Sequence, residues 1–133
     1  MPHSRRELGS PQEWLRHAQS DLTLARLASH QGDVLPEQVC FHAQQAAEKS
    51  LKAVLLHRRI DFPLIHDIEE LLELAEQGGL ALPAEVAQSG ALTSYAVETR
   101  YPGSPEEVGP SQVEEAIRVS EQVVRWAAGL LHA

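Results

Sequence analysis

The chain holds a single cysteine, Cys40, in 133 residues, which excludes an intrachain disulfide and a Cys-x-x-Cys zinc pattern and points to a reducing, cytosolic setting. Long apolar runs are missing as well. The opening "MPHSRRELGS" carries charge without the apolar core of a secretory leader, and no window approaches a membrane span, so a cytoplasmic protein with no membrane contact is expected. Basic charge is in short supply: 11 Lys and Arg stand against 19 Asp and Glu, and the resulting net charge of −8 argues against broad, non-specific attraction to nucleic acid. No stretch alternates apolar and polar residues with period two over a useful length, and there are no internal repeats or low-complexity segments. A phosphate-binding glycine loop is absent too, because Gly78 and Gly79 are not followed by Lys and Ser or Thr. His3, His17, His30, His57 and His132 share no metal-ligand spacing, so neither a metal nor another cofactor is expected.

What is present has helical period. "SPQEWLRHAQSDLTLARLAS" opens with Ser10 as N-cap, Pro11 at the first helical position and Glu13 completing a capping box; Trp14, Leu15, Ala18, Leu22 and Ala25 form its apolar stripe. A second helix is predicted from Pro36 to about Arg58, ended by "IDFP", where Pro63 disfavours helical geometry at Phe62. "HDIEELLELAEQGG" reads as a short acidic helix capped by Asp67 and closed by Gly78 and Gly79. A fourth helix is predicted from Pro83 to Arg100. The last has a seam of Val113, Ile117, Ser120, Val124, Ala127 and Leu131, with Trp126 outside it as a packing surface for another subunit. The fold expected is all-α: an up-and-down four-helix bundle with one additional short helix, residues 10–133 forming one domain behind a flexible stretch over 1–9.

The second helix raises a problem. "CFHAQQAAEKSLKAVLL" places Cys40, Ala43, Ala47, Leu51 and Val54 on one side and His42, Gln45, Lys49 and Lys52 on another, with Glu48 at the edge of that stripe and one turn before Lys52. A solvated face is the simplest account. Against it, Ala46, Ala53 and Leu56 interleave with the polar residues. Asp21 lies near the apolar side of the first helix, where a lone carboxylate is costly; Asp21 with Lys49 is therefore the expected structural ion pair.

"EWLRHAQSDLTLARLA", "CFHAQQAAEKSLKAVLL", "FPLIHDIEELL" and "YAVETRYPG" resemble, in order and spacing, the HEPN domain, the higher-eukaryote and prokaryote nucleotide-binding domain, over roughly residues 12–131. The resemblance implies a small helical bundle, a homodimer or higher homo-oligomer, and a minimal nucleotidyltransferase as partner. Its members run from toxin ribonucleases of toxin–antitoxin pairs to non-catalytic domains thought to bind nucleotides.

The ribonuclease branch uses an Arg followed after four to six residues by a His, the imidazole moving protons at the ribose while the guanidinium stabilises the phosphorane-like charge. Here the Arg at the matching place is Arg100, and "YPGSPEEVGP" follows it without a His. Arg59 with His66 and Arg125 with His132 meet the spacing formally, at a number chance alone supplies; the first pair straddles a connection and the second sits at the chain end. The resemblance thus implies the non-catalytic branch, with His42, Gln45, Lys49, Lys52, Arg100 and Tyr101 as nucleotide-binding candidates and no catalytic residues. A protein-binding module and a ribonuclease toxin are the competing expectations.

Overall fold

Ser10 starts the first helix as its spacing predicts. Its Oγ accepts the Glu13 N–H at 3.1 Å while Glu13 Oε1 accepts the Ser10 N–H at 3.2 Å, and Pro11 occupies the first turn, where no N–H partner is needed. In the computed structural model, which describes residues 9–96 and 108–132, α1 spans Pro11–Ala28 and buries Leu15, Ala18, Leu22 and Ala25. Ser29 Oγ donates to the Arg26 carbonyl at 2.7 Å and closes the helix.

Helix α2, Pro36–His57, is the centre of the molecule: α1 and the last helix of the chain both pack on it, and 14 of its 22 residues are buried, which leaves only a narrow outer strip to solvent. Its small residues explain how this is possible. Ala43, Ala46, Ala47 and Ala53 are fully buried and let neighbouring helices approach from several sides, while Leu51, Val54 and Leu55 fill the space between them. Beyond the helix Arg59 takes a left-handed φ of 61°, and the chain reverses toward the next helix.

Asp67 caps α3, Ile68–Gln77, through Oδ1, which accepts the Glu69 N–H at 3.0 Å. Gly79, at φ 93°, ends this segment in a conformation that favours glycine. The last helix, α5, spans Pro110–Leu131. Its buried stripe is wider than a two-position seam: Ala116, Val119 and Val123 join Val113, Ser120, Val124, Ala127 and Leu131, while Ile117 is half-buried. Trp126 is half-buried against the main core, so less of it faces outward than its position outside the seam implies.

The chain is all-α, and the described residues contain no strand. One element differs from its prediction. In place of a fourth long helix from Pro83 there is a single α-helical turn, α4 (Ala84–Ala87), which tightens into a 3-10 helix over Gln88–Ala96. Ser89, Gly90, Thr93 and Ser94 are weak helix formers; Ser89 Oγ donates to the Val86 carbonyl at 2.6 Å, competing with the α-helical ladder. Gly90 also lies so close to the Glu69 side chain that a Cβ there would overlap it. Thr93 Oγ1 accepts the Ile68 N–H at 3.1 Å, tying this segment to the start of α3. The far end of the predicted helix, with Arg100, lies outside the described residues.

Candidate functional site

The polar stripe of α2 resolves into two paired clusters. The chain has two lysines, and both stand in this helix. Lys49 Nζ lies 2.6 Å from Asp21 Oδ2 on α1, and the other carboxylate oxygen, Oδ1, is 3.2 Å from His42 Nδ1. All three side chains are partly shielded, at 14% exposure for Asp21, 23% for Lys49 and 29% for His42. The Phe41 ring meets the imidazole edge-on with centroids 5.4 Å apart.

The second cluster is deeper. Lys52 Nζ is 3.0 Å from Glu48 Oε2, one turn apart, with side chains only 4% and 2% exposed. Gln44 Nε2 donates to Glu48 Oε1 at 2.9 Å, and Gln45 Nε2 donates to Gln44 Oε1 at 2.8 Å. From the connection before α3, His66 brings Nδ1 to 2.9 Å from Glu48 Oε2, while 71% of its own side chain stays exposed. The ammonium of Lys52 also lies over the Trp14 ring, 5.5 Å from its centroid. A buried carboxylate is tolerated only when it is paired and hydrogen-bonded, and Glu48 meets both conditions.

Trp14 connects the two clusters. With Gly9, Glu13, His17 and Lys49 it lines an open pocket of about 270 Å³ at the start of α1, so an indole wall and the Lys49 side chain border one opening. Hydrogen bonding from the Ser10 side chain, and then from its backbone N–H, holds the Glu13 carboxyl below its ordinary value, so Glu13 is an anion at neutral pH. A larger depression of about 420 Å³ lies between the 3-10 segment and α5, among residues that include Leu92, Tyr95 and Glu115; no described residue lining it is a cation.

Of the candidates from sequence, Lys49 borders the pocket, and His42 stands one carboxylate away from it. Gln45 is engaged with Gln44, and Lys52 is enclosed by Glu48 and the Trp14 ring rather than open to solvent. Arg100 and Tyr101 lie outside the described residues. Trp14 and His17 as pocket walls, and His66 as a partner of Glu48, were not among the candidates. Their chemistry is ordinary, and only the approach of α1 and of the connection before α3 to the polar side of α2 gives them these roles. Among the described residues no group of three His, Cys, Asp or Glu is arranged to hold a metal, and no helix is long and apolar enough to cross a membrane.

The HEPN domain family model matches residues 11–130, nearly the whole of the chain. Two solved structures are similar over almost their full length. ST0689, described as an archaeal HEPN homologue, is 26% identical with a TM-score of 0.72, covering 91% of this chain and 97% of its own. TT1696 from Thermus thermophilus is 27% identical with a TM-score of 0.72, covering 90% of this chain and 96% of its own. No curated protein matches.

Proposed function

The chain belongs to the HEPN domain family, and on that footing we propose that it is a non-catalytic nucleotide-binding domain whose ligand enters the pocket between Trp14 and Lys49. The observation that carries this reading is the pairing of an aromatic side chain with a lysine side chain at one opening. Base–aromatic contact contributes about 1–3 kcal/mol, and a lysine meets phosphate as a point charge. Arg100 and Tyr101 are candidates from the sequence resemblance alone and lie outside the described residues.

The charge around the pocket argues for weak binding. Lys49 is already matched by Asp21, and Glu13 adds a carboxylate to the lining. The non-catalytic part of the proposal is supported by the sequence after Arg100, which carries no His at the spacing of the ribonuclease motif; His66 is read as an anchor of Glu48, to which its Nδ1 is bound. Calorimetric titration with ATP, GTP, CTP and UTP tests the reading. Saturable binding that weakens as salt rises and weakens further in Lys49→Gln is the expected result; four titrations without heat or fluorescence change overturn it.

A second reading has its own support. Leu24 and Leu27, three residues apart on α1, are 46% and 62% exposed, and Leu35 at the entry to α2 is 62% exposed. Large apolar side chains left outside a bundle suit association with a second copy or with a minimal nucleotidyltransferase partner. Under this reading the domain's function is to present that face, and co-purification with a nucleotidyltransferase, lost in Leu27→Glu, tests it.

A further inference from the structure

We infer that an anion enters the Trp14–Lys49 pocket by exchange rather than by simple addition: Lys49 turns from Asp21 toward the ligand, and His42 takes up a proton to keep Asp21 neutralised. The inference rests on the nucleotide reading above and adds its regulation, namely that binding is coupled to pH.

The geometry points this way because one carboxylate serves two bases. Asp21 Oδ2 holds Lys49 at 2.6 Å and Oδ1 holds His42 at 3.2 Å. With only 14% of its side chain exposed, Asp21 has little water to fall back on. When Lys49 directs N–H groups toward a phosphate in the pocket, positive charge facing Asp21 is diluted and a second negative charge arrives nearby. A partly buried carboxylate losing its counter-charge is unfavourable, and the group on its other oxygen can restore the balance.

His42 is suited to that task. A neutral imidazole donating from Nδ1 to Asp21 leaves Nε2 as the place where a proton is gained. The side chain is 29% exposed, so the proton comes from solvent. Among the described residues other charged groups stand nearby: Arg16, next to His17 on α1, acts on Glu13 through its charge. Lys52 is enclosed with Glu48, to which His66 is also bound, and Arg26 on α1 is paired with Glu121 of α5 at 2.9 Å. Glu13 lies at the pocket, bonded to the Ser10 N–H. His17, one turn before Asp21 on α1, lines the pocket and is the other imidazole able to respond to an anion, so it supplies the internal comparison.

Linkage then sets the direction: each proton taken up on binding makes affinity fall by up to tenfold per unit rise in pH through the range in which the imidazole titrates. Titrate wild type, His42→Gln and His17→Gln with ATP at pH 6, 7 and 8, in buffers of different ionisation enthalpy, and read the number of protons taken up. Glutamine at position 42 keeps a hydrogen-bond donor for Asp21 but cannot accept the proton. The ATP terminal phosphate titrates in this range as well, so the difference between proteins is the quantity that counts. We expect a proton uptake in wild type that His17→Gln retains and His42→Gln loses. NMR of the imidazole nitrogens in the wild-type protein gives the same answer without a substitution, His42 moving to its doubly protonated form as ATP is added. Saturable binding with equal uptake in wild type and His42→Gln, or uptake lost only in His17→Gln, overturns the exchange while leaving the nucleotide reading intact. No saturable binding at any pH overturns both.

Discussion

Glu48 and Lys52 form an ion pair inside the bundle, 3.0 Å apart with neither side chain more than 4% exposed. Removing one partner leaves the other charge without compensation in a site with little water. Glu48→Met and Lys52→Met should each destabilise the domain by roughly 3 kcal/mol, and the double variant by much less than their sum. Urea denaturation of the four proteins measures the coupling, and additive losses would mean the two charges act independently.

Asp21 and Lys49 are less shielded than that pair, at 14% and 23% exposure, so the corresponding loss is smaller. Lys49→Met should lower stability by about 1–3 kcal/mol, between the values for exposed and buried pairs. Asp21→Asn in the same background should recover part of it. An unchanged denaturation midpoint in Lys49→Met would show that His42 and water suffice for Asp21.

Ser10→Ala removes the acceptor of the Glu13 N–H and should cost about 1 kcal/mol of stability. The same box has a pH signature. The folded-state value of Glu13 lies below its ordinary one, chiefly through the Ser10 side chain, so its contribution is present above the ordinary carboxylate value and is lost as pH falls through the lower folded value. Wild type should therefore exceed Glu13→Gln in stability at pH 6, and the gap should close toward pH 3. A gap independent of pH would assign the difference to the amide rather than to the charge.

Wild-type protein incubated with a structured RNA should leave it intact, while His66→Ala should lower stability by about 1 kcal/mol through the loss of one donor to Glu48. RNA cleavage abolished by that substitution would reverse the assignment of His66 from anchor to acid–base group.

Sedimentation equilibrium should show self-association of the wild type at micromolar concentration, and Leu24→Glu with Leu27→Glu should shift it toward the monomer. Both leucines are exposed, so the folded core should be unaffected and the denaturation midpoint nearly unchanged. A monomeric wild type would leave these side chains to a different protein.

Helix boundaries were readable wherever the signal was local. Ser10, Pro11 and Glu13 mark the start of α1, and Asp67 with Gly78 brackets α3, because caps and breakers act within one turn. The 3-10 segment was not, since Val86, Leu92 and Tyr95 continue an apolar pattern through Ser89, Gly90 and Thr93, whose conformation depends on contacts with the Val86 carbonyl, Glu69 and Ile68 respectively. The site divides in the same way. The closeness of Asp21 and Lys49 could be anticipated because a carboxylate beside an apolar stripe requires a partner, and the charge complement was at hand. Glu48 and Lys52 read as an exposed ion pair because their spacing is identical on a wet or a dry face; Trp14, arriving from another helix, decides the matter.

Both lysines being held by carboxylates also sets the covalent reactivity of the chain. Lys52, capped by Glu48 and the Trp14 ring, should resist amine-directed reagents as long as the bundle is folded, whereas Lys49 is open to them only when its ammonium leaves Asp21 and sheds a proton. The rate at which Lys49 is acylated is thus a clock for departures from Asp21, running in the absence of ligand, and the slow modification of Lys52 beside it times the opening of the bundle.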